Sequence, residues 1–228
     1  MRIAVVDDDE TSLEFVSRVL EQQGHVCVTF QRSRDMPLAL QRDTFDLLIL
    51  DWNMPDVSGM DIVAWVQANL VAPPPIIMLT SRSDKDDIAA ALNAGADDFI
   101  VKPESAVVIA ARVDAVGRRA SGAPPVESRV ESFGPYVFDR LDETVTLHGE
   151  AIAVTSKEFA LARLFFANTH KPLSRRYLME TVWKSVAELS TRTLDMHVSR
   201  IRSKLQLRSD NGYRLQTVFG YGYRLESF

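Results

Sequence analysis

Leu47-Leu48-Ile49-Leu50-Asp51-Trp52-Asn53-Met54-Pro55 decides how the first half of the chain is read. Four consecutive apolar residues describe a strand buried on both faces of a parallel sheet. The run stops at the carboxylate of Asp51, and Pro55, Asp56 and Gly59 mark a loop leaving the strand's carboxyl end. In open α/β sheets, ligands and chemistry sit at that edge. A single Asp there is more often a strand-ending cap, so its neighbours must overturn that reading.

The same pattern recurs on either side. Residues 3–6 form an apolar strand ending at Asp7-Asp8-Asp9, and residues 11–23 have helical spacing that stops at Gly24. Residues 26–30 read as a strand and 35–41 as a short helix with Pro37 in its first turn. Helix 59–69, strand 76–79 ending at Thr80, helix 84–93 closing at Gly95, strand 99–101 ending at Lys102, and helix 105–119 complete five βα units. That alternation predicts an α/β domain with a five-stranded parallel sheet, doubly wound with helices on both faces.

The strand ends carry the chemistry. Asp7, Asp8, Asp51, Thr80 and Lys102 all follow apolar runs, so the topology brings them to one edge. Clustered carboxylates repel one another unless a cation compensates. Oxygen ligands without His or Cys suit Mg²⁺. A carboxylate can attack a phosphoryl group, and a hydroxyl and an ammonium beside it would stabilise the transferred oxygens.

Val5-Val6-Asp7-Asp8-Asp9, Leu50 to Pro55 with Gly59, Leu79-Thr80-Ser81 and Gly95-Ala96-Asp97-Asp98-Phe99-Ile100-Val101-Lys102-Pro103 resemble the receiver domain of two-component response regulators. The resemblance implies a flavodoxin-like (CheY-like) receiver over residues 1–119 with Asp51 as phosphoacceptor. It implies Mg²⁺ on Asp8, Asp51 and the Asn53 main-chain carbonyl, with Asp7 acting through the metal's waters. Thr80 and Lys102 would hold the phosphoryl oxygens, and Phe99 would turn inward as Thr80 moves. A sensor histidine kinase would be the donor. Relatives dimerise through the fourth helix, fifth strand and fifth helix; Asp97, Asp98, Arg112 and Arg119 match charged positions of that face, whereas Ile88 and Val108 replace an ion pair. An apolar contact in place of one exposed pair is compatible with a dimer. Glu104 stands where an aromatic is usual, at the start of the fifth helix.

Charge divides the chain. Residues 1–125 carry 11 Lys+Arg against 19 Asp+Glu, and residues 126–228 carry 15 against 12, so the halves sum to −8 and +3. An acidic half joined to a basic one suggests two domains with different partners, nucleic acid being a candidate for the second. The single Cys27 lies in an apolar run and excludes a disulfide framework. No run approaches the ~20 apolar residues of a spanning helix, so a cytoplasmic protein without a membrane partner is expected.

Residues 120–129 read as a linker and 130–228 as the second domain. Short strands at 136–138, 144–147 and 152–154 precede a capping box, Thr155-Ser156-Lys157-Glu158, that opens a helix. A second helix spans 174–183. In residues 190–205, Leu194, Val198, Ile201 and Leu205 form an apolar stripe opposite Arg192, Ser199, Arg200 and Ser203. A terminal hairpin turning near Phe219-Gly220 completes a winged helix-turn-helix, an α+β domain whose last helix would enter the major groove.

Leu173-Ser174, Glu180 to Trp183, Arg192 to Arg202 and Thr217 to Tyr223 resemble the OmpR/PhoB effector domain. The resemblance implies double-stranded promoter DNA as partner, with Arg192, His197 and Arg202 on phosphates and Asp195 and Arg200 near base edges. Thr193, Ser199 and Lys204 belong to the same DNA-binding set. Residues 184–189 correspond to the loop that meets RNA polymerase. The wing carries Phe219 where Arg is usual, which predicts loss of minor-groove reading. The whole chain is therefore expected to be a phosphorylation-dependent transcriptional regulator, dimeric when phosphorylated. It is not expected to be a turnover enzyme, since Asn53, not an acid, stands two residues after Asp51.

Overall fold

The computed structural model describes residues 1–120, 128–184 and 191–228. The chain forms two compact units, Met1–Ala123 and Pro124–Phe228. The first contains β1 (Arg2–Val6), α1 (Glu10–Gln22), β2 (Val26–Phe30), α2 (Met36–Arg42), β3 (Leu47–Leu50), α3 (Gly59–Asn69), β4 (Ile76–Thr80), α4 (Lys85–Ala94), β5 (Asp98–Val101) and α5 (Ala106–Ala120). Its strands are parallel in the order β2-β1-β3-β4-β5.

The apolar run in β3 is explained by the two cores it serves. Leu47 and Ile49 face one cluster with Leu13, Leu20, Val113 and Val116 of α1 and α5. Leu48 and Leu50 face the other with Met36, Ile62 and Val66 of α2 and α3. Alternating side chains are thus apolar on both faces, and a slip of one residue would exchange them. Local signals set the helix ends: Asp9 caps α1, Ser58 and Asp61 form a reciprocal capping box on α3, and Gly95 closes α4 at φ +112°. The helix expected from residue 105 begins at Ala106. Cys27 is half-buried, and burial, the largest cause, pushes its thiol up to about 11.

The second unit opens with an antiparallel meander of β6 (Val130–Phe133), β7 (Tyr136–Asp139), β8 (Thr144–Leu147) and β9 (Glu150–Ile152). Then come α6 (Ser156–Ala167), β10 (Leu173–Ser174), α7 (Arg175–Trp183), α8 (Thr191–Lys204), β11 (Tyr213–Val218) and β12 (Gly222–Ser227), with a second sheet ordered β10-β12-β11. Two expectations shift. The strand expected at 152–154 is β9, two residues earlier, because His148 and Gly149 both have positive φ. Such a two-residue turn returns the chain directly into pairing, so Glu150 already opposes Leu147. Strand β6, unexpected from sequence, pairs with β7. The expected helix at 174–183 is α7, with the Ser174 hydroxyl capping it.

The core of this unit is aromatic: Tyr136, Phe138, Phe159, Phe165 and Phe166 pack with Leu194, Val198, Ile201 and Leu205 of α8. The buried Tyr136 hydroxyl donates to the Leu205 carbonyl at 2.7 Å, tying the meander to the end of α8. Gly222 is where β12 meets β10: a Cβ there would lie 2.1 Å from the Leu173 carbonyl oxygen. Overpacking of this kind costs about 1–3 kcal/mol. Gly222→Ala should therefore lower the urea midpoint of the second unit while the first keeps its own transition, as read by far-ultraviolet circular dichroism.

Candidate functional site

The first site lies at the carboxyl edge of the parallel sheet. Asp7 follows β1, Asp51 follows β3, Thr80 ends β4 and Lys102 follows β5. Asp7, Asp51 and Thr80 are buried, and Asp8 is exposed. Each of Asp7, Asp8 and Asp51 offers one carboxylate oxygen, all within 4.8 Å of one another. This all-oxygen set could hold a hard metal ion. The Lys102 Nζ donates to Asp7 Oδ2 at 2.5 Å and to Asp51 Oδ1 at 2.9 Å. Burial pulls its pKa down, but the two carboxylates outweigh that and hold it above the ordinary lysine value. The second Asp51 oxygen accepts the Asn53 main-chain N–H at 2.7 Å, and Asp7 also accepts the Ser12 hydroxyl at 2.6 Å.

The loop after Asp51 is held tightly. A Cβ on Gly59 would lie 2.2 Å from the Asp51 carbonyl oxygen. Arg82, two residues beyond Thr80, stacks over Trp52 at 5.0 Å, donates to Asn53 Oδ1 at 3.0 Å and pairs with Asp87 at 3.3 Å. Trp52 in turn meets Phe99 edge-on, with ring centroids 6.4 Å apart. Phe99 is buried, so its ring already lies inward here. Sequence periodicity gave no sign of Arg82, whose partners come from two separate segments, the loop after Asp51 and α4.

The second site is the polar face of α8. Arg192, Ser199, Arg200 and Ser203 are exposed, opposite the buried stripe. Neither Arg192 nor Arg200 has a side-chain partner among the described residues. Other members of the expected set are engaged within the unit. Asp195 accepts from Arg175 at 2.9 Å and from the Tyr223 hydroxyl. Burial, then that bond to Asp195, pushes Tyr223 up to about 12. The His197 ring packs on Trp183 and hydrogen-bonds the Thr193 carbonyl at 2.8 Å. Arg202 donates to the Leu215 carbonyl at 2.9 Å and to Thr217 Oγ1 at 3.1 Å, binding α8 to β11. Lys204 pairs at 2.7 Å with Glu158, which is 1% exposed. Phe219, at the wing tip, is fully exposed.

A family model described as the response regulator receiver domain matches residues 3–114, and one for the C-terminal domain of transcriptional regulatory proteins matches 149–225. The sensory transduction protein RegX3 of Mycolicibacterium smegmatis is 32% identical over 98% of each chain. The phosphate regulon transcriptional regulatory protein PhoB of Rhizobium meliloti is 35% identical over 99% of each. Response regulator DrrB, a Thermotoga maritima OmpR/PhoB homolog of solved structure, is 30% identical over 99% of each chain, with a TM-score of 0.47. The chain belongs to the OmpR/PhoB family of response regulators. It joins a phosphoacceptor receiver domain to a DNA-binding domain and is a transcriptional regulator.

The regulator's α4-β5-α5 face is partly committed within the chain. Asp98 and Arg112 pair with each other at 2.9 Å. Asp97 accepts the Ile76 N–H at 2.8 Å, and Arg119 donates to the Ala115 carbonyl at 3.4 Å. Ile88 and Val108 are half-buried, next to the exposed Leu92 and Val107. The loop expected to meet RNA polymerase lies, beyond Lys184, outside the described residues. No described helix is long and apolar enough to cross a membrane.

The Lys204–Glu158 pair has a measurable signature. Desolvation raises the Glu158 pKa, but the Lys204 hydrogen bond and the Thr155 N–H and hydroxyl outweigh it and hold it below its ordinary value of 4.5. A depressed folded-state pKa stabilises above the unfolded value and loses that contribution as pH falls through the folded one. Melting of the second unit should therefore soften below pH 4.5, and Glu158→Gln should flatten that part of the profile.

Proposed function

We propose that Asp51 takes a phosphoryl group from the phosphohistidine of a sensor kinase. An Asp51 carboxylate oxygen attacks phosphorus, the P–N bond breaks, and the departing imidazole nitrogen takes a proton. The observation that carries this reading is Lys102, whose ammonium already bridges Asp7 and Asp51. A Mg²⁺ held by Asp8, Asp51 and the Asn53 main-chain carbonyl, with Asp7 acting through its waters, would neutralise charge on the transferred oxygens. The all-oxygen cluster fits that ion.

Once Asp51 is phosphorylated, Lys102 donates to a phosphoryl oxygen and the Thr80 hydroxyl turns toward another. Thr80 accepts the Arg82 N–H at 3.4 Å, so its movement disturbs the Arg82-Trp52-Phe99 stack. That stack transmits occupancy to the α4-β5-α5 face, which then pairs two copies. Ile88 and Val108 contribute apolar contact there, with Asp97, Asp98, Arg112 and Arg119 around them. The paired effector domains bind adjacent promoter half-sites: Arg192 and His197 position the phosphates, while Arg200 lies near base edges with Thr193 and Ser199 beside it. Residues 184–189 engage RNA polymerase, and the protein works in the cytoplasm. With Asn53 in place of a second acid, phosphoryl loss is slow and the domain is not a turnover enzyme.

A small phosphodonor with Mg²⁺ should label the chain stoichiometrically and raise its mass in solution to that of a dimer. Asp51→Asn or a chelator should abolish the label, as read by intact-mass spectrometry. Rapid multiple turnover of a phosphoester would contradict the assignment.

A further inference from the structure

We propose that Phe219 is a wedge for duplex DNA: its ring enters the minor groove beside α8 and inserts between two base pairs, kinking the duplex toward its major groove. The inference rests on the DNA-binding reading of the second unit, with α8 in the major groove. Phe219 is fully exposed, and no large apolar side chain among the described residues is more so. It opens the turn of the terminal hairpin, just beyond the register pair of Val218 with Gly222. Gly220 takes φ +71° in that turn, and the Tyr221 N–H donates to the Val218 carbonyl at 3.1 Å. The ring stands at the tip, outside the core of its own unit.

The stem beneath the ring is held on both strands. On β11, the Leu215 carbonyl and the Thr217 hydroxyl accept from Arg202 of α8. On β12, Gly222 and Tyr223 pair with Ser174 and Leu173 of β10. The Tyr221 carbonyl, inside the turn, accepts the Arg175 N–H at 3.1 Å. A ring with two rotatable bonds on such a stem loses little entropy when it is covered. Its apolar area, left in water by the fold, is stabilised by whatever apolar surface covers it.

Base pairs are the surface that α8 and the hairpin select together. Major and minor grooves alternate along a duplex. The hairpin is fastened to the side of α8, so with α8 in one major groove the tip meets the neighbouring minor groove. Phe219 carries no charge and does not read that groove's potential as an arginine would. A ring acts on stacking instead, and every base offers a face to it. Entry unstacks one step, so flexible TA and CA/TG steps are favoured, whereas the stiff A-tracts that attract an arginine are disfavoured. A second copy of the chain is a poorer occupant. One aromatic ring buries about 150–250 Å², far below the ~1,200 Å² at which stable protein pairs begin. No other large apolar side chain in residues 213–227 is exposed.

The test uses the phosphodonor-treated full chain and a duplex fragment that it retains from sheared genomic DNA, labelled with a dye at each end. Energy transfer between the dyes should rise when the parent chain binds, reporting a bend. Phe219→Ala should melt as the parent does, bind about tenfold more weakly for the lost stack, and leave transfer unchanged at saturation. Phe219→Leu, an alternative wedge, should keep the bend. Phe219→Trp adds a fourth indole to the three already present, and the added emission should be quenched by the fragment. An equal bend with Phe219→Ala at saturation, or added emission that DNA does not alter, overturns the inference and leaves the DNA-binding reading standing. A parent chain that retains no fragment overturns both. If Phe219→Ala lowers the mass of the phosphorylated chain in solution without DNA, the ring packs on a second copy and the inference fails.

Discussion

One ammonium among carboxylates governs the receiver. Asp7 and Asp51 are buried side by side at the ends of adjacent strands, and carboxylates so placed repel one another unless a cation lies between them. Lys102 supplies it from the far edge of the sheet, past β4. The arrangement depends on register: β1, β3 and β5 must end at the same level for one side chain to span them. Register depends in turn on the alternating burial of β3 between two cores. In the function proposed above, a phosphoryl group on Asp51 would present new oxygens to the donors that hold the resting site and so re-aim Lys102.

The same logic separates structural from available charge in the effector. Arg202 and Lys204 look in sequence like two more cations on a basic helix. In the fold one fastens α8 to β11 and the other neutralises the nearly buried Glu158. On the helix, Arg192 and Arg200 have no such engagement among the described residues. Removing a fastening arginine disturbs the shape that binds, whereas removing an unpaired one disturbs only the field.

Much of this was legible in the sequence, for identifiable reasons. Buried strands write themselves as apolar runs, and parallel topology makes their ends converge, so Asp7, Asp8, Asp51, Thr80 and Lys102 could be grouped before any coordinates. Helix α8 was equally plain, because its stripe repeats at the helical period. Periodicity gives the face of a residue and not the reach of its side chain. It therefore missed the Arg82 contacts to Trp52, Asn53 and Asp87 and the engagement of Asp195 by Arg175 and Tyr223. Strands as short as β10 carry no periodic signal, and β9 was displaced because its turn conformation lies in backbone angles at His148 and Gly149.

In the function proposed above, chemistry at Asp51 sets the DNA affinity of a separate domain. Footprinting on the chain's own promoter region, with phosphodonor and Mg²⁺ present or absent, addresses it directly. Protection of paired half-sites should appear at lower protein concentration after phosphorylation, and Asp51→Asn should lose that gain while keeping its unphosphorylated affinity. Equal protection with and without the donor, or a gain that survives Asp51→Asn, would contradict the account.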